Sequence, residues 1–198
     1  MKIVGDVTVE GILDAASLAQ RSQILSDGEG LIAETFSRQT LSFGNAAQTP
    51  GVVYSTAIAL LDGDPIRRIV VLSAQNVSGL KRVELAILAA DGTRIATTGD
   101  VKDAFADPGV KRPDLVLDVT GSGLYYCSFL AVGETVPMLG LGIDSGYADL
   151  AGGPLVDGAS RLWAEMAGQT EIPDVVELGV PVGVGTGAVW FGVAAAAL

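Results

Sequence analysis

The side chains able to do chemistry in this chain are mostly carboxylates: 23 Asp and Glu stand against 12 Lys and Arg, with one cysteine and no histidine. Without an imidazole there is no Ser-His-Asp or Cys-His relay to activate a nucleophile. Zinc would have only Cys127 and carboxylates to hold it, far from its usual Cys and His sets. Two carboxyl groups facing each other across a substrate suffice for glycoside hydrolysis, and Asp144, Asp149 and Asp157 fall within one Gly-rich stretch. In so acidic a chain that grouping is expected by chance, and solvated loop acids are the simpler reading. Asp62-Gly63-Asp64 and the same Gly-rich stretch offer the oxygens calcium prefers, but their spacing matches no EF-hand loop. Gly183, Gly185 and Gly187 resemble part of a phosphate-cradling loop, yet no lysine is near and a strand pattern follows, so they read as a turn. No residue qualifies as catalytic, cofactor-binding or metal-ligating.

Aromatic side chains offer a different chemistry, stacking on sugar rings. Trp163, Trp190 and Tyr147 are the candidates for contact with a glycan or a protein partner, against the ordinary alternative that aromatics at strand period fill a core.

Charge and composition exclude several classes. A net charge of -11 and a pI near 4.2 are wrong for nucleic acid, whose phosphates must be neutralised by Lys and Arg. The mean hydropathy of +0.46 is high for a soluble monomer and has two explanations, richness in Ala and Val or surface buried between subunits. A single cysteine makes no internal disulfide, and Cys127 alternates with core residues as a buried small hydrophobe. The opening MKIVGDVTVEG has no long apolar run and reads as no signal peptide, so the chain is expected to fold in a cytoplasm. Residues 178–198 carry no charge, but their glycines and Pro181 favour a turn and a buried strand over membrane insertion.

The elements that must position these residues are mostly strands. Residues 12–25 (ILDAASLAQRSQIL) form the one helical pattern, and with the weak strand before it residues 1–40 read as an attachment arm. Leu18, Leu25 and Ile32 are spaced as a coiled-coil seam interrupted at Asp27-Gly28-Glu29-Gly30. From 52 onward the period is two, with strands expected at 52–61, 68–74, 82–98, 115–132, 160–167 and 188–194. Within 82–98, a three-residue turn at Ala90-Asp91-Gly92 with Gly92 left-handed is expected to pair Ile87 with Ile95 and Leu85 with Thr97. That register collects Glu84, Leu88, Arg94 and Thr98 on the other face. Residues 115–132 read as a hairpin about Gly121-Ser122-Gly123, and the second strand is apolar on both faces, so something must cover both, a sheet, a helix or a subunit. The fold expected for residues 41–198 is an all-β antiparallel sandwich, jelly-roll-like, preceded by the short strand and helix.

Residues 54–140 resemble the β-sandwich domain of minor tail and tail-fibre proteins of phages infecting actinobacteria. The features concerned are YSTAIALLDGDPIRRIVVLS, VELAILAADGTRIATTGD and LVLDVTGSGLYYCSFLAVGETVP, followed by the ending GQTEIPDVVELGVPVGVGTGAVWFGVAAA. The resemblance implies a non-enzymatic virion structural protein, assembled as a homotrimer and joined to other virion proteins through residues 1–40. It also implies contact with host surface glycans. A capsid decoration or head-fibre protein uses the same fold and arm, and a carbohydrate-binding module is the competing class outside phages.

Overall fold

The computed structural model describes residues 31–35, 48–60, 65–75, 77–141, 163–178 and 188–195. The helical pattern at 12–25, Tyr147, the acids at 62–64, 144, 149 and 157, and the glycines at 183–187 lie outside them.

Among the described residues ten strands run in order: β1 Leu31–Glu34, β2 Val53–Leu60, β3 Ile66–Ser73, β4 Leu80–Ala89, β5 Arg94–Thr97, β6 Gly109–Lys111, β7 Asp114–Val119, β8 Gly123–Gly133, β9 Trp163–Met166 and β10 Gly192–Ala194. They form two antiparallel sheets. The first has the order β1-β10-β3-β6 with β7 also on β3, and the second the order β5-β4-β8-β2-β9. The all-β, two-sheet architecture expected from the period-two patterning is therefore present.

Alternation of side chains places Tyr54, Ile58, Val83, Leu85, Ile87, Cys127 and Phe129 of the second sheet against Ile66, Ile69, Val71 and Val193 of the first. A 3-10 helical turn at Lys102–Phe105 drops Phe105 into this core, its ring tilted at 55° to that of Phe129 with centroids 5.8 Å apart. Such a tilted pair is a favoured aromatic geometry.

Three expectations are corrected. The stretch 115–132 is not a hairpin: β7 pairs with β3 in the first sheet, while β8 lies between β4 and β2 in the second. Gly121 and Gly123 thus carry the chain from one layer to the other. At the 90–92 turn the loop is as expected, with the Ala89 N–H donating to Thr93 O and Gly92 at φ +89°. Beyond it, however, Ile95 bulges out of the ladder, so Ile87 pairs with Ala96 and Ala86 with Thr97. Thr97 rather than Thr98 then shares a face with Glu84. Finally, residues 31–34, placed by sequence in the attachment arm, with Ile32 in the coiled-coil seam, pair with β10 as part of the sandwich.

Both outer faces carry apolar residues, and the same chain covers them. On the first sheet Trp190 and Leu31 lie on Val70 and Leu72. On the second, Ile172, Val176 and Leu178 lie on Val53, Ala57, Ala86, Leu88, Tyr126 and Leu130. The double-sided apolar character of β8 is thereby satisfied within one chain, and this surface calls for no subunit.

Candidate functional site

The most concentrated polar arrangement among the described residues centres on Glu84, a β4 carboxylate 1% exposed. A buried charge is tolerated only where it is paired and hydrogen-bonded. Glu84 receives the Arg82 guanidinium at 3.0 and 3.1 Å, the Thr97 hydroxyl at 2.7 Å and the Ile172 backbone N–H at 3.1 Å, with Arg94 at 3.9 Å. The alternation of β4 and the bulge at Ile95 put Glu84, Arg94 and Thr97 on one face.

Each arginine then reaches past Glu84 to residues 169–178, which run as a strap across that face. Arg94 donates to the Ile172 carbonyl and pairs with Asp174, and Arg82 lies 3.8 Å from Glu171. Backbone bonds pin the strap at its two ends, from Gln169 N–H to Gly51 O at 2.8 Å and from Val176 N–H to Gly92 O at 3.0 Å. Pro173, with no N–H to give, sits mid-strap and keeps it from becoming a full ladder strand. The arrangement holds chain to chain. Its carboxylate oxygens are engaged by donors from its own protein, and nothing in the geometry presents an acid and a base across an open substrate site.

A second charged group lies where β7 bows away from β3. Arg67 pairs with Asp118 at 3.0 Å and Arg68 with Asp114, around a shallow cleft of about 310 Å³ that Leu115 completes. Beside it Val116 and Leu117 are 70% and 63% exposed on an edge strand. β5, with its exposed Ile95, runs alongside β7 at the same margin of the sandwich.

Of the three aromatic residues singled out in the sequence, only Trp190 has its side chain among those described. Trp190 is 1% exposed, and its indole Nε1 donates to Glu34 at 3.3 Å, so it offers no ring face for stacking. It is a lid on the first sheet, a correction whose reason is the apolar outer face of β3 and β10. Trp163 opens β9 opposite Thr56, and Tyr147 lies outside the described residues. Cys127 is fully buried, and desolvation pushes its thiol well above the usual value, which leaves it without the thiolate that reactivity or metal binding requires. Among the described residues no cluster of three Cys, Asp or Glu could hold a metal ion, and no helix is long and apolar enough to cross a membrane.

Sequence reasoning missed Glu84 as a centre. It stood in a strand as one acid among many, and the residues that surround it come from β4, β5 and a strap 88 positions later. No protein-family model and no curated protein matches the sequence.

Proposed function

We propose that this chain is a non-enzymatic structural protein of a bacteriophage virion, a minor tail or tail-fibre component. In this reading a jelly-roll-like sandwich projects from the particle as a homotrimer. The residues before β1, carrying the helical pattern at 12–25, attach it to neighbouring virion proteins. The observation that supports the proposal is the coincidence of the resembling segments with the strands that build the sandwich: 54–73 spans β2 and β3, 83–100 falls on β4 and β5, and 115–137 on β7 and β8. The main buried charge of that sandwich serves to tie down its own chain, as a scaffold requires. The exposed apolar margin at Val116, Leu117 and Ile95 gives a neighbouring virion protein a surface to bury. Contact with host surface glycans would fall to residues other than Trp190.

The test is immunogold electron microscopy of purified particles of the phage carrying the gene. Label on the tail is expected. Label spread over the head would reassign the chain as a capsid decoration protein, and unlabelled particles would overturn the virion reading altogether.

A further inference from the structure

Among the described residues β7 pairs with β3 alone, and only at its two ends: Asp114 lies opposite Arg68, and Val119 opposite Ile66. Between those pairs β3 has Arg67, whereas β7 has Leu115, Val116, Leu117 and Asp118. The bulge leaves the backbone at Val116 and Leu117 without a facing residue on β3, and both side chains are largely exposed. An extended backbone with no ladder is a template for another strand, and here the template is apolar as well.

The charged groups around this bow are only partly used. Among the described residues Arg67 engages Asp118 through Nη2 and Arg68 engages Asp114 through Nε, so each guanidinium has further N–H groups to offer at the cleft of about 310 Å³. Asp114 and Asp118 stand largely in water, and such exposed pairs are worth little, so an incoming carboxylate can share the two arginines at small cost. Lys111 and Arg112 directly precede β7. Four basic groups therefore meet two acidic ones at this margin, on a chain whose net charge is -11.

We propose that the bow of β7 takes up an extended strand of another protein, apolar at alternate positions and carrying Asp or Glu between them. Main-chain hydrogen bonds to Val116 and Leu117 hold the strand, and its alternate side chains give the selectivity. One carboxylate enters the cleft between Arg67 and Arg68, where charge-assisted hydrogen bonds fix it. A second copy of β7 is a poor occupant, because antiparallel pairing about Val116 sets Asp114 of each chain opposite Asp118 of the other. The inference rests on the reading of this margin as a surface that a neighbouring virion protein buries, and it names the kind of segment that does so.

The test uses two blocked heptapeptides, one alternating Val and Glu and one alternating Val and Lys, titrated into the isotopically labelled full chain and followed by amide NMR. The Glu peptide is expected to move the Val116 and Leu117 resonances to saturation, and to bind at least tenfold more tightly than the Lys peptide. Arg67→Ala/Arg68→Ala should weaken the Glu peptide at least tenfold. Val116→Pro, which removes an edge N–H at a bulge where proline is tolerated, should abolish binding. No shift at residues 115–118 with millimolar Glu peptide overturns the proposal, and so does equal affinity for the two peptides, a result that needs no variant to fold. Particles are not involved, so tail label without peptide binding sinks this inference alone. Peptide binding with unlabelled particles sinks the virion reading alone.

Discussion

The carboxylate of Glu84 on β4 accepts a hydrogen bond from the backbone N–H of Ile172 at 3.1 Å, joining positions 88 residues apart. The bond fixes where the strap crosses the sheet, and the same carboxylate neutralises the guanidinium of Arg82, 34% exposed, in contact at 3.0 Å. Removing it takes away the centre while the two arginines, both partly exposed, regain water. The loss should fall below the 3–5 kcal/mol typical of breaking a fully buried pair: about 2 kcal/mol for Glu84→Ala. Glu84→Gln keeps one acceptor oxygen for the Ile172 N–H and turns its NH2 toward the Thr97 hydroxyl, which can accept, and should cost about 1 kcal/mol. Urea unfolding curves measure both, and an unchanged midpoint in Glu84→Ala would show that the network contributes nothing to stability.

Gly92 and Gly99 separate backbone conformation from crowding. Both have positive φ, +89° and +65°. A Cβ on Gly99 would meet nothing within 4 Å, whereas one on Gly92 would run into the carbonyl oxygen of Val176 on the strap. Gly99→Ala should therefore cost only the left-handed conformation, about 1 kcal/mol. Gly92→Ala should cost at least about 1 kcal/mol more, since the Val176 carbonyl must give way and with it a backbone hydrogen bond. Equal losses in the two variants would mean that the strap does not lie against the turn.

What could be read from sequence follows the range of the forces involved. The Asp91-Gly92 turn was legible because turn chemistry is local, and the covered faces of β8 because alternation is a property of the strand itself. The partner of β7 was not. An apolar run before Gly121-Ser122-Gly123 looks the same whether the chain returns beside itself or crosses to the opposite sheet, and only the pairing of β7 with β3, far back in the chain, distinguishes them. The bulge at Ile95 was equally silent, because Ile95 and Ala96 are both apolar and either can face the core. Burial of Glu84 ran against its residue type, and its compensation arrives from a strap far along the chain. Trp190 showed the remaining gap: an indole at strand period fits a binding face or a lid, and the choice depends on Val70 and Leu72 beneath it.

Ser55 and Ser128 face each other across the β2 and β8 ladder, both buried, with their hydroxyl oxygens 2.7 Å apart. Truncating one leaves the other without this partner in a site closed to water, so Ser55→Ala and Ser128→Ala should each cost about 1–2 kcal/mol. The double variant removes both polar groups and should be no less stable than either single one. A double-mutant cycle by denaturant unfolding should return a coupling energy of about 1 kcal/mol or more, and strict additivity would contradict the hydrogen bond.

Cys127 sits at the centre of the sandwich core, opposite Thr56 on β2 and Ile87 on β4. With its thiol held protonated by burial, it should resist iodoacetamide and aromatic disulfide reagents in the native protein across pH 7 to about 9, where a free thiol near its reference value of about 8.5 would ionise. Reaction should follow the urea unfolding transition, with one equivalent released per chain. Rapid labelling of the native protein would show that the two sheets open more readily than their packing implies.

Asp100 connects the fold to pH. Burial, the largest single influence on it, works upward. Hydrogen bonds from the backbone N–H groups of Val83 and Lys102, both at 3.1 Å, with the Lys102 ammonium 3.4 Å away, outweigh it and hold the carboxyl below its ordinary value of 3.8. A carboxylate whose pKa is lower in the folded chain than in the unfolded one contributes stability that is fully present above the unfolded value. That contribution is lost as the pH falls through the folded value. Stability should therefore decline between about pH 5 and pH 2, and Asp100→Asn, which cannot titrate, should flatten part of that decline while lowering stability at pH 7. The bond it weakens fastens the 100–102 corner to β4, directly before the turn that delivers Phe105 to the core. Urea midpoints measured at intervals of half a pH unit decide the matter: an acid limb of the same slope in both proteins would mean that Asp100 is not linked to folding.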